Sequence, residues 1–236
     1  MFLSFIVPLY NEEKRIAKTI REIAAFRQGL PVENEWIFVD DGSTDQTESH
    51  ARQELGTMPH RWIRFERNQG KGDAVRRGML EARGDFLFFT DTDLSTPLVE
   101  YERLLHELKN GYDVAIASRG LGARVLVHQS WMRETMGRIF NRIARLLTFK
   151  GIRDSQCGFK GFRREAARKL FSLQKISRFS FDAEIVFLAQ RLGFRVAEIP
   201  VTWINSENSK VRMFQDSLQM LIDLFRIRWL HRDLKS

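Results

Sequence analysis

The feature that most constrains this chain is a repeated alternation of short apolar runs with amphipathic stretches, in which nearly every apolar run stops at a polar cluster. Phe2–Leu9 reads as a buried strand, Glu13–Phe26 as a helix with Ile16, Ile20 and Ile23 on one face, and Trp36–Val39 as a second strand. A helix over Gln46–Leu55 follows, with Ser43 or Thr44 as its expected cap. Arg61–Phe65 is a short strand, Lys71–Ala82 a helix opened by Gly70 and Gly72, and Phe86–Thr90 the most apolar strand. Pro97 begins a helix bearing Leu104, Leu105 and Leu108, and Val114–Ala117 is a further strand. Such βα repetition predicts an α/β fold, a mostly parallel Rossmann-like sheet with helices on both faces. Sheets of this kind bind ligands at the carboxyl ends of their strands. The polar clusters stand there: Tyr10-Asn11-Glu12, Asp40-Asp41, Asp91-Thr92-Asp93 and Ser118-Arg119.

Beyond residue 119 the character changes. Trp131–Phe149 sets Met132, Met136, Ile139, Phe140, Ile143 and Leu147 beside Arg133, Arg138, Arg142 and Arg145, an amphipathic helix with a cationic face. Gln156–Phe162 returns to strand or turn, Arg164–Phe171 and Asp182–Arg191 read as helices, and Arg195–Trp203 as extended. Phe214–Leu234 is again amphipathic and basic. Residues 119–178 hold 15 Lys and Arg against Glu134, Asp154 and Glu165, a net +12 within a chain of +8. That concentration suits an anionic partner as readily as a solvated face. With 236 residues, no repeat and no linker-like stretch, one domain spanning 1–236 is expected. Residues 1–118 form one half of it and 119–236 a C-terminal elaboration.

Composition removes several classes. A single cysteine, Cys157, excludes an internal disulfide framework and a multi-cysteine zinc site, and the five histidines have no metal-ligand spacing. The longest uncharged stretch, Met1–Asn11, is far short of the roughly 20 apolar residues of a membrane span. No signal peptide and no transmembrane helix are expected, and the expected location is cytoplasmic.

Two carboxylates two residues apart at a strand end, Asp91 and Asp93, can face a divalent cation, and hard oxygen ligands favour Mg²⁺ or Mn²⁺. The ordered set is more specific. Val7-Pro8-Leu9-Tyr10-Asn11-Glu12, then Val39-Asp40-Asp41-Gly42-Ser43, Asn68-Gln69-Gly70-Lys71-Gly72 and Asp91-Thr92-Asp93 resembles family 2 glycosyltransferases, whose fold is the nucleotide-sugar-binding GT-A fold. Within that family the chain looks like the enzymes making polyprenyl-phosphate sugars, the dolichyl-phosphate glucosyltransferases first and the mannosyltransferases using GDP-mannose second. Lys150–Lys160, Phe181-Asp182-Ala183-Glu184 and Asn208-Ser209-Lys210-Val211 resemble the glucosyl enzymes.

The resemblance implies an inverting, metal-dependent transfer of glucose from UDP-glucose to a polyprenyl or dolichyl phosphate. Residues 1–118 become the nucleotide-sugar half and 119–236 the acceptor half. Pro8, Leu9, Tyr10, Glu12 and Asp40 match positions holding the base and ribose, Lys71 the diphosphate, and Asp91, Thr92 and Asp93 the metal motif. Ser95 stands where relatives often carry Gln, so Ser95 or water is left to complete the metal shell. Arg119 and Arg133 match positions gripping the acceptor phosphate, a task suited to a planar fork that can make two bonds. Gly137 replaces a serine found one turn after Arg133 in mannosyl enzymes. A polyprenyl phosphate is already an anionic nucleophile and needs no general base. An acceptor on a soluble glycan would need one, with Asp182 or Glu184 as candidates.

Other classes fit less well. A nucleic-acid-binding module explains the charge but not the acidic strand ends, so no nucleic acid is expected as partner. A nicotinamide-dependent dehydrogenase would need Gly-x-Gly-x-x-Gly where Pro8-Leu9-Tyr10-Asn11-Glu12 stands. The Gln-x-x-Arg-Trp of processive synthases is absent. Two basic amphipathic helices predict peripheral attachment to the cytoplasmic face of a membrane.

Overall fold

The computed structural model describes residues 1–121, 124–127, 131–204 and 213–234. Strands β1 (Phe2–Leu9), β2 (Glu33–Asp40), β3 (Arg61–Arg64) and β4 (Phe86–Thr90) alternate with helices α1 (Ile16–Gln28), α2 (Thr47–Leu55) and α3 (Lys71–Glu81). They pair in parallel in the order β3-β2-β1-β4. Helix α4 (Tyr101–Lys109) and strand β5 (Val114–Ser118) follow, then β6 (Arg124–Val127), α5 (Trp131–Leu147), β7 (Phe159–Arg163), α6 (Arg164–Leu173) and α7 (Phe181–Arg191). Strands β8 (Val196–Pro200) and β9 (Thr202–Ile204) and helix α8 (Met213–Leu230) complete the order.

Three features depart from the sequence expectation. The segment read as strand or turn over 156–162 is β7, inserted antiparallel between β4 and β5. The extended stretch 195–203 is two strands: β8 joins the seven-stranded sheet beside β5, while β9 pairs with β6 in a separate two-stranded sheet. Strand β6 itself carries no clear sequence signal, since it is four residues long and basic at its start. Finally, Ser43 and Thr44 do not cap α2. Helix α2 begins at Thr47, where the Asp45 carboxylate accepts the Thr47 N–H at 3.0 Å. Ser43 Oγ instead accepts the Asn11 N–H at 2.9 Å, and the Thr44 N–H donates to Asn11 Oδ1 at 2.8 Å. Those bonds stitch the end of β1 to the end of β2.

The central strands read as unbroken apolar runs because both their faces are buried. Ile6, Ile37, Val39, Leu87 and Phe89 face the layer holding α3, α6 and α7. Phe5, Val7, Trp36, Phe38 and Phe88 face the layer of α1, α2 and α4. In that second layer Phe5 stacks on Trp36 with ring centroids 4.5 Å apart and on Phe88 at 5.4 Å. Truncating a ring in such a stack costs about 3–5 kcal/mol. The rigid sheet therefore holds the ends of β1, β2, β4 and β5 in fixed register, and the polar clusters converge there.

Candidate active site

Loops at these strand ends are built from buried carboxylates that hold backbone. Asp40 is fully buried; Oδ1 accepts the Ser43 N–H at 2.9 Å and Oδ2 accepts from Arg64 at 2.9 Å. Asp41 takes the N–H groups of Gln69 and Gly70 at 2.7 and 2.8 Å, and the Asn68 amide at 2.9 Å. Burial raises its pKa above the ordinary range, partly offset by those two backbone donors. Asp41, which the family match did not single out as a site residue, is thus what shapes the Lys71 loop. Its signal was its place directly after β2. The N–H groups of Gln69 and Gly70 are taken by Asp41, which leaves the Lys71 ammonium as the charged group that this loop turns to Asp91. Gly70, at φ 113°, and Gly72 serve close packing, since a Cβ would fall 2.3 Å from the Ser177 carbonyl oxygen and 2.6 Å from that of Ile176.

Lys71 Nζ lies 2.6 Å from Asp91 Oδ1 and 5.9 Å from the centre of the Phe181 ring. Burial alone would lower the Lys71 pKa, but Asp91, Asp182 and Asp93 together raise it above the ordinary lysine value. Asp93 is pushed up by burial and then by repulsion from Asp91, while the Ser95 N–H, donating to Asp93 Oδ1 at 3.0 Å, pulls it down. The intervening turn has its Leu94 in the left-handed region at φ 47°, with the Leu94 N–H on the Asp91 carbonyl at 3.1 Å. A branched side chain there costs on the order of 1–2 kcal/mol, offset by its own burial. Gly158, at the start of β7, lets Asp91 sit where it does: a Cβ would lie 2.0 Å from Asp91 Oδ2.

Do these groups suit a divalent cation? Among the described residues, no three His, Cys, Asp or Glu gather around a common point. The pair Asp91 and Asp93 nevertheless fits: two hard-oxygen donors repel each other, and the buried Asp91 Oδ1 already faces a cation, the Lys71 ammonium at 2.6 Å. A ligand's phosphate oxygens and water would have to supply the rest of the shell.

Structure separates the other expected residues. Tyr10 is part-exposed at the end of β1, and Glu12 pairs with Arg15 at 2.7 Å, so both stand at the cleft. Pro8, Leu9 and Thr92 do not present side chains to it. Leu9 is in the core, and the Thr92 hydroxyl donates to the Pro8 carbonyl at 2.7 Å, bracing β4 against β1.

On the opposite side, Arg119 at the end of β5 grips Asp154. Nε donates at 2.7 Å, Nη2 at 3.0 Å and the backbone N–H at 3.1 Å, and the guanidinium lies 5.6 Å from the Trp203 ring centre. Burial would raise the Asp154 pKa, but Arg119's charge and hydrogen bonds hold it down at about 2. Glu198 braces the same loop, accepting from the Ser118 hydroxyl at 2.7 Å and the Asp154 N–H at 2.8 Å. Arg133 is on the first turn of α5; its side chain lies outside the described residues, as does the segment 208–211.

Neither candidate base stands open. Asp182 forms a buried ion pair with Lys160, which also donates to the Cys157 carbonyl at 2.7 Å. Burial raises the Asp182 pKa, partly offset by Lys160 and Lys71. Glu184 is fully buried and occupied by backbone N–H groups and His231. Cys157 is packed and its thiol pushed up by burial, which leaves it inert.

The sequence profile of Glycosyl transferase family 2 matches residues 4–171. Dolichyl-phosphate beta-glucosyltransferase of Drosophila melanogaster is 39% identical over 95% of this chain and 74% of its own. The protein of the same name from Homo sapiens is 37% identical over 96% and 74%, and that of Dictyostelium discoideum 35% over 97% and 74%. Among solved structures, glucosyl-3-phosphoglycerate synthase of Mycobacterium tuberculosis, crystallised with phosphoglyceric acid, superimposes with TM-score 0.73 at 22% identity over 96% of this chain and 79% of that one. A crystal of that synthase with Mn²⁺, UDP-glucose and phosphoglyceric acid gives 0.72 at 21% over 100% and 81%. The structural likeness establishes the GT-A-type fold.

Proposed function

The chain belongs to glycosyl transferase family 2, and from that premise we propose that it transfers glucose, with inversion, from UDP-glucose to dolichyl phosphate or a related polyprenyl phosphate. The observation that carries the choice of acceptor is the closed state of both carboxylates that could act as base. Asp182 is held by Lys160 and Glu184 is sealed. An acceptor that brings its own negative oxygen needs neither. The near full-length relatives named dolichyl-phosphate beta-glucosyltransferase support glucose as the sugar and the lipid phosphate as acceptor. Neighbours crystallised with UDP-glucose and Mn²⁺, or with UDP and Mg²⁺, support the donor and the metal.

In this reading the acceptor phosphate oxygen forms a bond to the anomeric carbon while the bond from that carbon to the β-phosphate oxygen breaks, releasing UDP. Asp91 and Asp93 would hold a Mg²⁺ or Mn²⁺ ion, which would supply charge neutralisation for the leaving diphosphate. Lys71 leaves Asp91 for the diphosphate and stabilises the same developing charge. Glu12, Tyr10 and the wall built by Asp40 position the nucleoside. Arg119, with Nε and Nη2 on Asp154, turns its remaining Nη1 edge to the acceptor phosphate, and Arg133 is assigned the same partner.

The lipid acceptor also places the protein peripherally on the cytoplasmic face of a membrane. Among the described residues no helix is long and apolar enough to cross one. On α8, however, Leu218, Ile222, Phe225 and Trp229 recur at helical spacing and are all exposed, Phe225 at 62% and Trp229 at 64%. Helix α5, packed on α8, adds exposed Ile139 and Leu146. Arg142, Arg145, Arg226, Arg228 and Arg232 surround these residues and suit an anionic leaflet. The test is a screen of UDP-glucose, GDP-mannose and other nucleotide sugars against a polyprenyl phosphate. Glucose from UDP-glucose in the lipid phase is expected. Transfer to a soluble acceptor alone would overturn the proposal.

A further inference from the structure

Glu184 would be the base in a reaction with a soluble acceptor, yet its surroundings give it another task. Oε1 accepts the Lys175 N–H at 2.9 Å and His231 Nε2 at 2.6 Å, and Oε2 accepts the Ile176 N–H at 2.8 Å. Because a carboxylate only accepts, Nε2 carries the proton. His231 is itself buried and lies just past the end of α8. A second tie joins the same two regions: Lys175 Nζ donates to the Leu230 carbonyl at 2.9 Å. The C-terminal end of α8 thus holds the segment between α6 and α7 at two points.

That segment is the wall of the Lys71 loop. The Asp73 N–H donates to the Ser177 carbonyl at 3.2 Å. The backbones approach so closely that any side chain at Gly70 or Gly72 would collide with the carbonyls of Ser177 and Ile176. Phe181, which begins α7, forms the floor below the Lys71 ammonium. Two backbone segments in such contact cannot shift independently, so the wall's position is also the position of Lys71. A buried carboxylate with three donors is a stiff clamp, since releasing any one leaves a charged acceptor short of a partner.

We infer that Glu184 and His231 are positioning residues for the donor site, clamping residues 174–181 against the Lys71 loop so that the end of α8 sets how tightly a nucleoside diphosphate is held. The inference rests on the proposed donor chemistry, with Lys71 as the grip on the diphosphate. It gives the apolar helix a role in donor binding distinct from lipid contact, and it reassigns Glu184 from chemistry to support.

The test is calorimetric titration of UDP, with Mg²⁺, into the full chain, with a melting curve for every variant and steady-state KM values for both substrates. His231→Leu removes the pair and is expected to weaken UDP binding roughly tenfold, the scale of one charged hydrogen bond. It should raise the donor KM and leave the lipid-phosphate KM unchanged. His231→Gln keeps an N–H donor and is expected to restore most of the affinity. Should His231→Leu fail to fold, two milder variants decide. Lys175→Met breaks the solvent-exposed tie, and His231→Asn keeps a polar group that is too short to reach Glu184; each should weaken UDP selectively with the fold retained. A folded His231→Leu protein with wild-type UDP affinity would overturn the inference, as would an equal rise in both KM values or, in the milder pair, unchanged UDP affinity. Wild-type protein that binds no UDP would instead overturn the donor reading beneath it.

Discussion

Two ion pairs flank the cleft and are built to different purposes. Lys71 meets Asp91 through one contact of 2.6 Å, with both side chains partly open to solvent. Arg119 meets Asp154 through three hydrogen bonds, and the Asp154 side chain is only 4% exposed. Both pairs stand at strand ends of one sheet, and charge type does not distinguish them. Exchangeability does. A single, part-solvated contact can be traded for a diphosphate oxygen at little cost, whereas a buried bidentate pair cannot be opened without stranding a charge. The Lys71 pair, on the proposed donor side, is therefore arranged to change partners, and the Arg119 pair, on the proposed acceptor side, to stay fixed.

The largest expected effect is on the donor side. Asp93→Ala should lower turnover by at least about a hundredfold, as loss of a preorganised charge group does, while the melting temperature stays near that of wild type. Near-normal turnover of the wild-type enzyme in metal-free buffer would remove the metal from Asp91 and Asp93 and break the comparison at its first term. Next in size is the contrast between the two cations. Arg119→Ala leaves Asp154 buried and unpaired and should destabilise the fold by about 3–5 kcal/mol, besides raising the lipid-phosphate concentration needed for activity. Lys71→Ala should cost no more than about 1 kcal/mol and raise the nucleotide-sugar requirement instead. Denaturant melts with substrate titrations on both variants check this, and equal destabilisation would erase the distinction.

Acid unfolding sharpens the same point. Arg119 holds the folded Asp154 pKa at about 2, below the ordinary aspartate value of about 3.9. Its contribution is thus present above pH 4 and lost as the pH falls toward 2, on the order of 2 kcal/mol. Asp93 and Asp182 shift the other way, so the folded state takes up their protons at a higher pH than the one at which the Asp154 contribution is lost. Asp154→Asn should flatten the acid limb of the stability curve; an unchanged limb would mean that the pair is not what holds Asp154 ionised. The smallest effect on stability is expected at the lipid face. Phe225→Ser with Trp229→Ser should alter stability by about 0.5 kcal/mol or less, because both rings are exposed, yet weaken co-sedimentation with anionic liposomes. Unfolding of this double variant, or wild-type protein that never co-sediments, would return α8 to ordinary packing.

Much of this was legible in the chain. The apolar runs fixed the strands of the first half, because a strand buried on both faces has no choice but continuous hydrophobicity. The order of the motifs, with Asp40-Asp41 and then Asp91-Thr92-Asp93 at strand ends, carried the resemblance to family 2 glycosyltransferases. What a linear pattern could not carry was partnership. Asp40 and Asp41 look alike in sequence; only packing shows one held by Arg64 and the other shaping the Lys71 loop. Asp154 and Lys160 lie in a stretch that resembles the glucosyl enzymes, but neither they nor Glu198 revealed a role, since each is defined by a partner at least 22 residues away, Arg119, Asp182 and Ser118. Leu9 sits inside the motif yet faces the core, because neighbours in a strand alternate sides, and Thr92, in the turn after β4, is drawn to the Pro8 carbonyl; a motif records only order. The antiparallel β7 joined both limits: its residues spell a strand, but its direction, and so the meeting of Gly158 with Asp91 and of Lys160 with Asp182, follows from pairing with β4 and β5. Local composition determines which segments are strands and helices, since backbone preference and burial act residue by residue. Which charges meet is decided only when the sheet closes, because burial makes an unpaired charge too costly to leave.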